Sequence, residues 1–485
     1  MGRPDESIDH ISIDSRTLQA GETFFALQGP RFDGHDYLGR AAEAGARTVI
    51  IQTLDSRAQF ELGRFPNVVQ VQDTLKALQD LARWIRSQSS ATVIGVTGSN
   101  GKTTTKEMIA AILRRAGKTL ATRGNLNNHI GLPLTLCELE PEHQFAVIEM
   151  GTSKSGDMEL LMDIARPSIG LITNVGKDHL EFLGTTEGVL AVNRLLFDDL
   201  PKKGSAIINL DDPLLAPFAK SLPCRRVTYG ASEGADVSAS IDLAGAASTD
   251  FTLRLEGQSY PSVLQTPGRL QVLNATAAAA TALALGIEAE TIVEGLHAFK
   301  PASMRMQALT RRDGTVIVND AYNANPSSVR LSVASFCESY KGRTKWAVLG
   351  DMRELGAVAR SEHQAFGEWL RTQELARVFL YGRDTRFIAS GLENPSENMK
   401  VERFKKKRYL TARLQELLSQ SGASPGRHSP RSLAGNPSGR TLKMDPRQGH
   451  SGMTTDDSAN FCDQPAILFK ASRSLKLEQV IEAIH

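Results

Sequence analysis

Apolar residues along this chain gather into short β-prone runs, and between those runs they recur at helical spacing. In the first 85 residues, Thr23–Leu27, Thr48–Ile51 and Val68–Val71 predict strands. Residues 41–46 read as a helix end closed by Gly45, and Leu75–Ile85 as an amphipathic helix. Val93–Val96, Phe145–Glu149, Ile169–Thr173 and Ile207–Leu210 predict a second group of buried strands. Residues 225–265 alternate weakly and predict an antiparallel excursion, and 274–285, NATAAAATALAL, a tight alanine helix ended by Gly286. From about 301 onward, strands are expected at Val316–Asn319, Lys345–Leu349, Arg377–Tyr381 and Ala466–Lys470, with Pro326 opening a helix and another helix at the end. Strands alternating with helices imply an α/β chain with parallel sheets. We divide it into units at 1–88, 89–300 and 301–485; the last is Rossmann-like but lacks a G-x-G-x-x-G loop.

Composition adds mostly exclusions. A length of 485 residues fits two to four domains, and 41% hydrophobic with 23% charged residues is ordinary for a globular protein. A net charge of +2 sets up no field that would favour nucleic acid or a membrane surface. No apolar run reaches the roughly 18 residues of a spanning helix, and the polar start MGRPDESIDH is no signal peptide. Cys137, Cys224, Cys337 and Cys462 follow no metal spacing, which fits a reducing, cytoplasmic compartment. Residues 421–460 are rich in Ser, Gly, Pro and Arg without periodicity and are expected to be disordered, either as an insertion or as an out-of-frame reading.

The chemistry centres on one junction. Val93–Val96 runs through Gly98-Ser99-Asn100-Gly101 into Lys102-Thr103-Thr104-Thr105, a strand, a glycine loop and a helix start. Such glycines let backbone N–H groups converge on phosphate oxygens, and the helix N-terminus adds positive potential. Lys102 is placed to reach the β- and γ-phosphates, and the Thr103 hydroxyl to ligate Mg²⁺. Five residues separate Gly95 from Gly101, so the working core is Gly98-x-x-Gly101-Lys102-Thr103, not the strict phosphate-loop spacing. Glu149 ends an apolar strand just before Gly151, which makes it a candidate Mg²⁺ ligand or an exposed strand-end carboxylate. His179, beyond the end of the next strand, is a candidate for a second Mg²⁺ or a structural histidine. Residues 124–133 hold three asparagines and a histidine between glycines, side-chain donors for a ligand or a set of Asx turns. The turn Asp320–Asn323 suits a ribose hydroxyl and a base. Ser15 and Arg16, beside glycine turns, suit a diphosphate or simply water.

Taken together, TGSNGKTTTKEM, GNLNNHIGLPLTL, VIEMG, ITNVGKDHLEFLG, NDAYNANPSSV, VLGDMRELG and LFKASRSLKLEQV resemble the Mur ligases over nearly the whole chain, 421–460 excepted. GNLNNHIGLP and YNANPSS point to the branch that joins D-alanyl-D-alanine to UDP-N-acetylmuramoyl-tripeptide, as against its sister ligases and folylpolyglutamate synthases. The resemblance implies three domains: a UDP-binding domain, a central P-loop ATPase with a parallel sheet, and a C-terminal Rossmann-like domain. It implies a monomeric cytoplasmic ligase of peptidoglycan precursors that uses ATP and Mg²⁺, with the UDP-tripeptide and the dipeptide as partners and neither nucleic acid nor membrane insertion. By the same resemblance, ATP is expected at Gly98, Ser99, Asn100, Gly101, Lys102, Thr103, Thr104, Asn274, Arg305, Asp320 and Asn323. Lys102, Glu149 and His179 are the expected catalytic residues, and Thr103, Glu149 and His179 the expected metal ligands. Ser15 and Arg16 match the UDP side, Asn127 and Asn128 the sugar-peptide loop, and Lys470 and Ser472 a motif at the cleft. One departure stands out: where the family usually carries a carbamylated lysine, in a pattern like AKAEIF, this chain has Asn193, with Leu195 in place of an acidic residue.

Overall fold

The α/β patterning resolves into three sheets. The computed structural model describes residues 10–30, 32–52, 61–231, 234–245, 247–393, 395, 398–421 and 464–485. The expectations for residues 1–9, for 422–460 and for Cys462 therefore lie outside the described residues. The first sheet sets Ile11–Ser12, Thr23–Phe25, Thr48–Ile51 and Asn67–Gln70 side by side, all parallel. Helix Thr74–Gln88 follows, its first turn capped by Asp73, which accepts from the Lys76 N–H at 2.9 Å. This helix leans on the central unit: Arg83 Nε donates to Asp163 at 2.6 Å and Arg86 Nε to the Ala165 carbonyl at 2.9 Å.

The central sheet has nine strands. Arg225–Gly230, Ser205–Asn209, Ile169–Ile172, Thr92–Thr97, Phe145–Glu149 and Thr119–Ala121 run parallel in that spatial order. The central four, Ser205–Asn209, Ile169–Ile172, Thr92–Thr97 and Phe145–Glu149, are largely buried on both faces because helices cover both. Lys102–Ala116, Arg269–Ala284 and Ala289–Ala298 pack on one side. Gly131–Leu136, Asp157–Ala165 and Leu195–Asp198 pack on the other. Alanines are what let Arg269–Ala284 sit close to the phosphate-loop helix: Ala275, Ala277, Ala278, Ala279, Ala280 and Ala282 are all buried.

The antiparallel reading of 225–265 needs correction at its start. Arg225–Gly230 pairs in parallel with Ser205–Asn209, and antiparallel pairing begins only at Val237–Ala244, which pairs with Thr249–Leu255, itself paired with Gln258–Leu264. Arg225 and Arg226 are exposed at the head of that strand, so its pattern imitates a half-buried antiparallel one.

The third sheet orders Gln307–Thr310, Val316–Asn319, Ala466–Lys470, Lys345–Gly350, Arg377–Tyr381 and Lys400–Phe404. All neighbours are parallel except the first pair. The last strand of the chain thus lies inside the sheet rather than at its edge. Helix Pro326–Ser339 opens with a capping box between Asn325 and Ser328 and with Pro at its first position. Among the described residues no helix is long and apolar enough to cross a membrane.

Candidate active site

The phosphate loop is shaped by what surrounds it. Gly98 (φ +123°) lies so close to Thr173 that a Cβ would come within 2.3 Å of its Oγ1, and one on Gly101 (φ +82°) within 2.5 Å of Asn274 Oδ1. Both positions require glycine. Asn174 grips the loop: its carbonyl accepts from the Ser99 N–H at 2.9 Å and its Oδ1 from the Asn100 N–H at 3.0 Å. Thr173 Oγ1 donates to the Asn100 carbonyl at 2.6 Å, and Ser99 Oγ accepts from the Gly176 N–H at 2.8 Å. Lys102 Nζ folds back over the loop and donates to the carbonyls of Gly98 and Ser99. Thr103 and Thr104 follow in the first turn of the helix and line the same cleft as Ser99, Asn100, Gly101 and Lys102.

Glu149 closes the neighbouring strand and is buried rather than exposed, at 2% of its free surface. Its Oε1 accepts from Asn127 Nδ2 at 2.7 Å, and its backbone N–H donates to Thr122 Oγ1 at 2.9 Å. Its Oε2 is buried with no hydrogen-bond partner among the described residues. A carboxylate oxygen held dry and unpaired costs free energy unless a ligand satisfies it. That orphaned oxygen, on a residue that lines the same cleft as Thr103, fits Mg²⁺, which binds through one or two carboxylates plus substrate phosphates. No group of three or more His, Cys, Asp or Glu side chains converges among the described residues, so a bound phosphate would have to complete the shell. Lys106, fully buried, donates to the Thr122 carbonyl and to Glu107, and so steadies the residue that holds Glu149. Nothing in the sequence pattern singled out Lys106 or Thr122.

His179 adopts the left-handed backbone (φ 50°) immediately after Asp178. Its Nδ1 lies 2.5 Å from Glu354 Oε2 and its Nε2 3.6 Å from Asp178 Oδ2. Burial alone would pull the ring's pKa down; the Glu354 hydrogen bond and the Asp178 charge outweigh it, leaving the ring above its ordinary value. Glu354 is correspondingly held below the usual glutamate range by that hydrogen bond.

The C-terminal sheet supplies the facing wall. Arg305, Asp320, Tyr322, Asn323 and Lys470 line the cleft with Asn127, Asn128 and Asn274. The Arg305 guanidinium stacks 4.1 Å from the Tyr322 ring centre. Asp320 Oδ2 accepts from Lys470 Nζ at 2.7 Å and from Ser332 Oγ at 2.5 Å, so the expected nucleotide residue and the expected substrate residue form one buried pair. Asn325 Nδ2 donates to Asn100 Oδ1 at 3.0 Å across the gap between the sheets. A smaller hollow shares Asn128, Gly151 and Ser153 with the cleft and extends it to His129, Lys154, Asp157, Leu161 and Phe182.

Three expected residues stand elsewhere. Ser15 and Arg16 belong to the first sheet's unit and do not line the cleft. Arg16 is largely exposed and forks onto Asp14, whose carboxyl that hydrogen bond pulls down to about 2. Ser472 is buried behind the wall, where its Oγ accepts from the Arg353 N–H at 3.0 Å. Asn193 is also off the cleft. It is 3% exposed; its Nδ2 donates to the Val189 carbonyl at 2.8 Å, and its Oδ1 lies 2.8 Å from Thr97 Oγ1 beneath the loop. Leu195 packs against the core.

Comparison with known proteins fits this arrangement. The Mur ligase family catalytic domain matches residues 7–86, the Mur ligase middle domain 96–282, and the Mur ligase glutamate ligase domain 304–423. UDP-N-acetylmuramoyl-tripeptide--D-alanyl-D-alanine ligase of Bacillus subtilis is 34% identical over 98% of this chain and 93% of its own length. The chain belongs to the Mur ligase family. Among solved structures, MurF from Acinetobacter baumannii superposes with a TM-score of 0.81 at 29% identity, covering 99% of this chain and 94% of that one. MurF from Thermotoga maritima, solved in complex with ADP, gives 0.75 at 26% identity, covering 98% and 97%. This Mur ligase therefore has the three-domain α/β architecture, with its cleft between the second and third sheets.

Proposed function

We propose that this Mur ligase joins D-alanyl-D-alanine to UDP-N-acetylmuramoyl-tripeptide, the ligation its curated relative is named for, with conversion of ATP to ADP and phosphate. The observation that carries the reading is one cleft faced by a phosphate loop, the unpaired oxygen of Glu149 and the Arg305–Tyr322–Asn323 wall. A carboxylate is a poor electrophile and must be activated. The tripeptide's terminal carboxylate oxygen attacks the γ-phosphorus, the bond to the β-phosphate oxygen breaks, and ADP leaves an acyl phosphate behind. The dipeptide amine then attacks the acyl carbon, loses a proton, and the tetrahedral intermediate expels inorganic phosphate. Phosphoryl transfer of this kind needs alignment and charge neutralisation more than a protein nucleophile.

Residues 98–104 and Lys102 Nζ hold the phosphates, with Asn274 bracing the loop from behind. Asn323, Arg305 and Asp320 take the nucleoside end, and Asn127 and Asn128 meet the sugar-peptide. Lys470 holds Asp320 in place, and Ser472 positions the chain behind it. Thr103, Glu149 and His179 would hold Mg²⁺, which supplies charge neutralisation at the phosphate oxygens. Units 1–88, 89–300 and 301–485 then serve as UDP-binding, ATP-binding and closing domains, with Ser15 and Arg16 on the UDP side. We place the reaction in the cytoplasm.

Asn193 favours a second reading, a nucleotide-binding homologue without ligation. ADP release by the purified full chain separates the two. Release over repeated turnovers is expected only when UDP-tripeptide and D-alanyl-D-alanine are both present, and not with meso-diaminopimelate or L-lysine as acceptor. Lys102→Ala is expected to lower the rate by roughly 10²-fold or more without unfolding the chain, since Lys102 Nζ touches only carbonyls of its own loop. Absence of ADP with every acceptor would favour the second reading.

A further inference from the structure

The VLGDMRELG motif contributes nothing to the cleft wall, yet its Glu354 reaches across to the central domain. Glu354 Oε2 sits 2.5 Å from His179 Nδ1, and the Glu354 carbonyl accepts from the Glu181 N–H at 3.0 Å. Side chain and backbone of one residue thus engage both ends of a three-residue segment on the other domain. The fit is tight: a Cβ on Gly356 would lie 3.1 Å from Glu181 Cα. His179 (φ 50°) and Glu354 (φ 62°) both hold the left-handed backbone that L side chains rarely adopt. Strain matched on the two sides of one contact is kept only where the surroundings over-determine it.

We propose that Glu354 is a positioning residue for His179, so that the metal site to which His179 contributes is complete only when the central and C-terminal domains are together. A carboxylate on one ring nitrogen fixes the orientation of a histidine and directs the other nitrogen to its ligand. Here that other nitrogen, Nε2, lies on the side of Asp178, which lines the cleft. Another interdomain tie, Lys177 Nζ to Glu362 Oε1 at 2.6 Å, joins the same two domains without touching the imidazole. It provides the control.

The inference rests on the reading of His179 as a metal ligand, and the test separates the two. Mn²⁺ is titrated into the full chain with ADP and followed by electron paramagnetic resonance. His179→Ala, Glu354→Ala, Glu354→Gln and Glu362→Gln are compared with the parent, and melting curves check each fold. We expect Glu354→Ala to weaken Mn²⁺ by roughly 10-fold or more. Glu354→Gln, which keeps an acceptor of the same size, should fall between Glu354→Ala and the parent, and serves in its place if the alanine variant does not fold. Glu362→Gln should match the parent. Parent-like Mn²⁺ affinity in Glu354→Ala, with weakened affinity in His179→Ala, overturns the positioning role alone. Equal weakening in Glu354→Ala and Glu362→Gln overturns it too, because closure in general would then be what matters. Unchanged affinity in His179→Ala removes the metal reading and this inference with it.

Discussion

At Glu149 a single residue is held where burial works against stability. One oxygen is held by Asn127 and the other is buried without a partner. We predict that Glu149→Gln raises stability by about 1 kcal/mol, because the amide relieves an uncompensated buried charge, and that it abolishes ADP formation. Chemical denaturation and an ADP-release assay measure the two, and a loss of stability would show that the carboxylate is satisfied after all. Asn193 is the opposite case, a residue whose amide bonds at both ends. Lysine there would bury an ammonium between Thr97 and the Val189 carbonyl, at a position only 3% exposed. We expect Asn193→Lys to cost about 1–3 kcal/mol and to gain no activity from added bicarbonate. A bicarbonate-dependent gain would mean that the position still opens toward the cleft. The chain's motifs pointed to Asn193 as a departure, but that its amide is satisfied beneath the loop depends on Val189 and Thr97, which only the fold brings to it.

At the scale of elements, parallel strands were the easiest to read. Thr48–Ile51, Phe145–Glu149, Arg377–Tyr381 and Ala466–Lys470 have the boundaries that their apolar runs predict, because strands buried on both faces carry little else. Gln307–Thr310 and Lys400–Phe404 escaped notice because they lie at the two edges of the third sheet and carry few fully buried side chains. Helix contacts are legible only in part: the run of alanines announces close packing but not its partner. That partner is the phosphate-loop helix, which Ala289–Ala298 approaches as well. A Cβ on Gly295 would meet Ile112 Cα at 2.5 Å and Ile112 N at 3.0 Å, both backbone atoms. Gly295→Ala must push the two helices apart, and we expect a loss of about 1–3 kcal/mol, measured as a lower denaturation midpoint with an unchanged slope. Because the moved helix begins at Lys102, a weaker affinity for ADP should accompany it.

Across the whole molecule, the cleft exists because residues far apart along the chain meet there. Asn100 touches Asn325, Lys470 from the last strand pairs with Asp320, which follows directly on strand Val316–Asn319, and at the margin of the cleft His179 touches Glu354. Sequence motifs marked most of these residues singly; which of them pair is a property of the assembled domains. The same topology makes a prediction about residues 422–460. Helix Lys407–Ser421 packs against the final helix, with Gln415 Nε2 donating to the Ala483 carbonyl at 2.9 Å, and Ala466–Lys470 is flanked on both sides by parallel strands. A helix returning to a parallel strand needs only a short connection, typically about 2–6 residues. Deleting 422–460 leaves Phe461, Cys462, Asp463, Gln464 and Pro465 to make it. The expected outcome is soluble yield and ADP release within about twofold of the parent, since a longer loop adds only about 0.6 kcal/mol of closure cost per doubling. A collapse in yield would show that the deleted stretch holds Ala466–Lys470 in its sheet. Lys470 would then lose Asp320, and the cleft its C-terminal wall.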